Sequence, residues 1–278
     1  MNSKRNIEKT VVITPLTRWS KKDLMELVEY RDLFLFLVWR DIKVLYAQTV
    51  MGLGWAIMQP LIQIIIFTLI FGKVAGIPTD GIPYFLFSTV AIVPWTYMST
   101  VMTNSGQSLV KDQGMLGKIY FPRIIYPLTP ALSALVDFFI ATGIIVLAMI
   151  YYSVAPTTNM FYLPLFMLFM FIVPLGVGFW LSALAIRFRD VKFAMPFVIR
   201  MLMFSAPIVY SASTIPEAYR FWYSLNPIVG VIEGMRASLL GTAIPWEFIV
   251  PGMIVSVVIF LSGAWYFRHM EKIFVDVI

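Results

Sequence analysis

Hydrophobic runs of bilayer-spanning length recur along this chain, separated by short polar breaks. Six stand out, at about 53–72, 83–108, 128–152, 161–186, 193–210 and 246–267. Each reaches the ~18–25 residues that an α-helix, rising ~1.5 Å per residue, needs to cross ~30 Å of hydrocarbon. Prolines at 94, 164, 174 and 196 fall inside these runs. Membrane helices tolerate them because neighbouring helices and side chains re-satisfy the freed backbone groups. The pattern predicts an all-α polytopic membrane protein with six transmembrane helices.

Two stretches follow a different pattern. Residues 20–43, SKKDLMELVEYRDLFLFLVWRDIK, open on Ser20 with Asp23 three positions on, a helix N-cap arrangement. Leu24, Leu27, Val28, Leu35, Val38 and Ile42 then fall at the spacing of one helical face, with charges elsewhere. This predicts an amphipathic helix at the membrane surface, carrying Arg31, Arg40 and Asp41 and feeding into the first span. Residues 211–245 are apolar and aromatic but broken by Pro216, Asn226, Pro227, Gly230 and Gly234. Neither half is long enough to span, so the pattern predicts two short re-entrant helices between spans five and six. Glu233 and Arg236 share a face at a three-residue spacing and are placed to pair. The resulting organisation is a polar tail (1–19), an interfacial helix with the lead-in to the first span (20–50), and a six-span membrane domain (51–278).

Composition strengthens this class. Of 278 residues, 60% are hydrophobic and only 13% charged, with a mean hydropathy of +0.83. A soluble domain carries about 25% charged residues. Cysteine is absent, and the single histidine, His269, leaves no set for histidine-based metal or triad chemistry. The first 50 residues lack the pattern of a cleavable signal peptide. The net charge of +6 is explained by its placement rather than by nucleic acid. With the N-terminus in the cytoplasm, basic residues on that side number nine through Lys43, three in 109–127, four in 187–200 and two in the tail. Only Lys73, Arg220 and Arg236 fall outside. The positive-inside rule therefore puts both termini in the cytoplasm.

Catalytic patterns are missing. The nearest approach to a phosphate-binding loop, Gly114 to Lys118, has the wrong spacing and sits in a basic loop rather than after a strand. No nucleophile elbow, zinc-protease motif or paired membrane carboxylates occur. The chain is not expected to be an enzyme. Ionisable residues inside spans are default candidates for function, and Asp137 and Arg200 lie at similar depths, suited to an ion pair or to holding an anionic headgroup. Trp55, Trp95 and Tyr210 are candidates to line a path for sugar rings, whose C–H faces stack on aromatics, but a membrane-interface belt is the better explanation of tryptophans near span ends.

The polar break LVKDQGMLGKIYFPR (109–123) between spans two and three reads on its residues as a connecting loop, with a short docking element as the alternative. Read in order, six segments resemble the ABC-2 type permeases of polysaccharide export. They are LFLVWRDIKVLYAQTVMGLGWAIMQP (35–60), VPWTYMST (93–100), SLVKDQGMLGKIYFPR (108–123), AIRFRDVKFAMPF (185–197), APIVYSASTIPE (206–217) and YSLNPIVGVIEGMR (223–236). After Lys43, where such permeases often carry basic residues, this chain has Leu45 and Ala47.

The resemblance implies a homodimeric permease served by two separate ATP-binding cassette subunits. The substrate would be a lipid-linked glycan of the O-antigen or teichoic-acid kind. No cofactor is implied on this chain; ATP and Mg belong to the partner subunit. It also implies that 109–123 is a coupling helix docking in the ATPase through Lys111, Asp112, Met115, Leu116, Lys118 and Ile119. The outer residues Pro216, Asn226, Pro227, Glu233 and Arg236 would form a gate. A permease for a drug or a lipid is the alternative within the same family. A secondary transporter would show several membrane acids and repeated halves, and Asp137 alone does not make that case.

Overall fold

The computed structural model describes residues 21–47, 49–116 and 121–271, and every regular element in them is helical. The polar tail, the Ser20 cap, Lys118 and Ile119 lie outside the described residues. In chain order, α1 (Lys21–Glu29) and α2 (Arg31–Tyr46) meet at Tyr30, and α3 (Trp55–Phe67) follows. Next come α4 (Tyr84–Lys111), the short α5 (Gln113–Leu116) and α6 (Ile125–Tyr151). The chain continues through α7 (Leu163–Arg187), α8 (Val191–Ser205), α9 (Glu217–Ser224), α10 (Pro227–Leu240) and α11 (Trp246–Met270).

Five segments are long and apolar enough to cross a bilayer: Gly52–Val74, Tyr84–Lys111, Ile125–Tyr151, Thr158–Arg187 and Trp246–Met270. They match five of the six expected spans. Between 193 and 210 the structure differs. Helix α8 stops at Ser205, and Ala206 turns extended (φ −107°, ψ 157°). The reason is local: Pro207 follows, and the residue before a proline is pushed out of the helical region. The 15 residues of α8 rise only about 22 Å, and non-helical chain carries on through Tyr210.

Helix α4 is the axis of the fold. Of its most apolar window 78% is buried, against 11% for Gly52–Val74. It packs along α6 on one side and α7 on the other, and α11 closes on α7. Glycines set that last approach: a Cβ on Gly176 of α7 would lie 2.7 Å from the Phe260 Cα of α11, and one on Gly263 would strike the Gly176 carbonyl. Small residues at such crossings let helix backbones touch, which drives packing where lipid supplies no hydrophobic force.

The interfacial element corrects the expected face. The side that meets the bundle is Leu27, Tyr30, Leu33, Phe34 and the fully buried Leu37, while Val28 and Leu35 are exposed. Both sides of this helix are apolar because one packs on protein and the other has no protein cover. Periodicity alone could not separate them.

Candidate functional site

At one end of the bundle the site is built where α2 meets the end of α4. Arg40 of α2 holds Asp41 beside it (2.8 Å) and Asp112 at the end of α4 (3.2 Å). Burial works to lower the Arg40 pKa, but the two carboxylates outweigh it and hold it above the usual arginine value. The pair ties the interfacial helix to the start of the 109–123 segment. Lys111 is exposed next to it, and Met115 and Leu116 close the short helix α5. Arg31 makes only a solvent-exposed contact with Asp32 at 3.6 Å, a kind of pair that contributes little.

The far end of the segment is clamped to the last helix, a feature the sequence reading missed. The Arg123 guanidinium donates to the Glu271 carbonyl at 2.7 Å, and Arg268 donates to the Glu271 carboxylate at 2.7 Å. The three-residue spacing of Arg268 and Glu271 was the available signal. The 109–123 segment is thus held to α2 at its start and to the end of α11 at its close.

Asp137 and Arg200 do not meet. The Tyr46 hydroxyl at the end of α2 donates to Asp137. Arg200 lies exposed on α8, which packs on α4 and α7. The expectation of equal depth ignored which helices are neighbours, and the partner of Asp137 comes from 91 residues away.

At the opposite end of the bundle the chain forms a sewn cap. Asn226 accepts a hydrogen bond from the Ile228 N–H at 3.1 Å, Pro227 takes the first helical position, and Gly241 (φ 71°) ends α10. This is a complete set of start and stop signals. From Ile228 to Leu239 α10 is buried among α4, α7 and α11. On it, Arg236 donates to Glu233 at 2.7 Å, and its guanidinium stacks 3.7 Å from the centre of the Phe87 ring. The same pair binds the non-helical stretch after α8. Arg236 donates to the Pro207 carbonyl at 2.7 Å and the Ala212 N–H donates to Glu233 at 3.0 Å. Tyr84 adds a bond to the Val209 carbonyl at 2.8 Å. Irregular backbone survives at such a place only when its polar groups are satisfied like this. Asp80 further accepts from Ser211 (2.5 Å) and Ser213 (2.9 Å). Pro216 opens α9.

Of the three aromatics, Trp55 is 49% exposed and Trp95 only 4%. Tyr210 is half-buried, with its hydroxyl bonded to the Phe204 carbonyl at 3.3 Å. Trp95 is therefore a core residue of the protomer, whereas Trp55 faces a groove.

A multi-pass helical bundle with a clamped segment at one end and a sewn cap at the other is the build of a membrane transport subunit. The chain belongs to the ABC-2 type transporter family, whose profile matches residues 32–240. It is similar to the O-antigen export system permease protein RfbA of Myxococcus xanthus, 25% identical over 90% of this chain and 97% of that one. The protein of that name from Klebsiella pneumoniae is 24% identical over 89% of this chain and 95% of its own length. The polysialic acid transport protein KpsM of Escherichia coli is 24% identical over 72% and 78%.

Proposed function

We propose that this chain is the permease of an ATP-driven exporter that moves lipid-linked polysaccharide, O-antigen-like or teichoic-acid-like, outward across the bacterial cytoplasmic membrane. The observation that carries the reading is its end-to-end likeness to relatives named for O-antigen export. Both termini are cytoplasmic in this reading, following the distribution of basic residues. The permease works as a homodimer. Helices α3 and α8 support this: they touch through Gln63, whose Nε2 lies 3.4 Å from Met203 Sδ. Their outer faces are left open, with Ile62, Ile66, Phe197 and Met201 exposed.

Two separate subunits bind ATP and Mg and dock against 109–123. Their closure moves that segment, and the Arg40–Asp112 and Arg123–Glu271 links pass the motion to α2 and α11. The outer cap seals the path when it is idle. Purification of the tagged chain from host membranes tests the assembly: a separate ATPase co-purifies, and the complex hydrolyses ATP while the permease alone does not. Hydrolysis by the permease alone would refute the division of labour.

A further inference from the structure

We infer that the open cavity between α2, α4 and α6 binds one neutral sugar ring of the exported glycan at the inner-leaflet side of the membrane. This rests on the export reading above and adds a site to it. The cavity has a volume of about 370 Å³ and is lined by side chains from all three helices and by Gln59 of α3. A smaller one of about 50 Å³ shares Gln59, Thr100 and Asp137 with it and adds Trp55 and Tyr97. The first volume falls at the low end of the ~300–1,000 Å³ of small-molecule sites. It admits a ring or two, not a polymer.

The wall is unusual for a membrane helix. Thr96, Thr100, Asn104, Gln107 and Lys111 fall on one face of α4, at spacings of three and four, although the rest of α4 is core. Among the described residues, the side chains of Gln59, Thr100, Asn104 and Gln107 have no protein hydrogen-bond partner. The Tyr126 hydroxyl, on a residue only 2% exposed, is also buried without a partner in the wall of this cavity. Buried polar groups are normally satisfied, so the Tyr126 hydroxyl calls for a partner. The exposed Gln59 and Asn104 and the half-buried Thr100 and Gln107 line the same cavity with donors and acceptors open to a ligand with several hydrogen-bonding groups.

Charge and group type select the ligand class. Asp41, Asp112 and Asp137 line the cavity against Arg40 and Lys111, and Arg40 is already engaged by Asp41 and Asp112. An anionic phosphate meets an excess of carboxylate there. Side-chain amides and hydroxyls both donate and accept, which matches sugar hydroxyls. Trp55 supplies an exposed ring at the far end for the apolar face of a sugar.

The test is saturation-transfer NMR on the full chain in lipid nanodiscs. The probes are the methyl pyranosides of glucose, galactose, mannose and N-acetylglucosamine, with inorganic phosphate as competitor. At least one glycoside should show transfer that phosphate leaves unchanged. Asn104→Leu with Gln107→Leu should weaken it about tenfold, the loss of one to two net hydrogen bonds. Thermal unfolding checks that this variant folds; if it does not, Thr100→Val replaces it, with a smaller loss expected. Transfer from none of the four glycosides, transfer unchanged in a folded variant, or displacement by phosphate overturns the inference. Any of these with intact export in cells leaves the export reading standing. Unaltered export after deletion of the gene would sink that reading instead.

Discussion

Glu233 and Arg236 tie together several parts of the described structure. Their side chains are 9% and 4% exposed, and between them they hold Ala212, Pro207 and the Phe87 ring. Removing one partner leaves a buried charge, which costs about 3–5 kcal/mol. Arg236→Met should therefore lower the unfolding temperature sharply in detergent, and Glu233→Met likewise. The double variant should recover part of the loss but not all, because Ala212 N–H and the Pro207 carbonyl stay orphaned. Full recovery would show that the strap does not depend on the pair. A cysteine at Ser213, in a chain with no native cysteine, should label faster with a membrane-impermeant thiol reagent in the double variant. The pairing itself was legible in the sequence, because a three-residue spacing on a helix is a local rule. The Tyr46–Asp137 bond was not, since nothing local names a partner 91 residues away.

At the scale of elements, hydropathy placed five spans within a few residues of their observed helices, because apolar length is a direct requirement of the bilayer. It overran at 193–210, where the deciding fact was a backbone rule: Pro207 ends α8 whatever the apolarity of Ile208 and Val209. The Asn226-Pro227 start of α10 was readable for the same kind of reason. Unreadable were the side of α2 that faces protein and the close crossing of α7 on α11. That crossing gives a second prediction. Gly263→Val and Gly176→Val should each destabilise the fold by about 1–3 kcal/mol or more through overpacking, read as a lower unfolding temperature. Gly114→Ala serves as the control, since nothing lies within 4 Å of its Cβ position. Equal behaviour of all three would contradict the described crossing. A third prediction concerns α5. Met115→Glu or Leu116→Glu should cut export about tenfold or more by removing an apolar anchor from the docking surface, while expression is unchanged. Normal export from both variants would remove α5 from the coupling path.

The whole molecule reads as a transmission between two ends. The 109–123 segment is clamped to α2 through Arg40–Asp112 and to the end of α11 through Arg123–Glu271. The cap at the opposite end is fixed to α4 and α10 by side chains that bind irregular backbone. Helix α4 runs from one end to the other. Such a body can carry a push at one face to a seal at the other. It can do so only if the links hold: Asp112→Asn should leave ATP hydrolysis by the complex intact and lower the amount of polymer exported per ATP, and an unchanged ratio would argue against transmission through α2. The most direct test of the export account is to delete the gene in its host and locate the polysaccharide. Export through this permease predicts loss of the polymer from the cell surface, with lipid-linked polymer accumulating inside the cytoplasmic membrane, and restoration of both by the intact chain. Polymer that still reaches the surface at its normal level would contradict it.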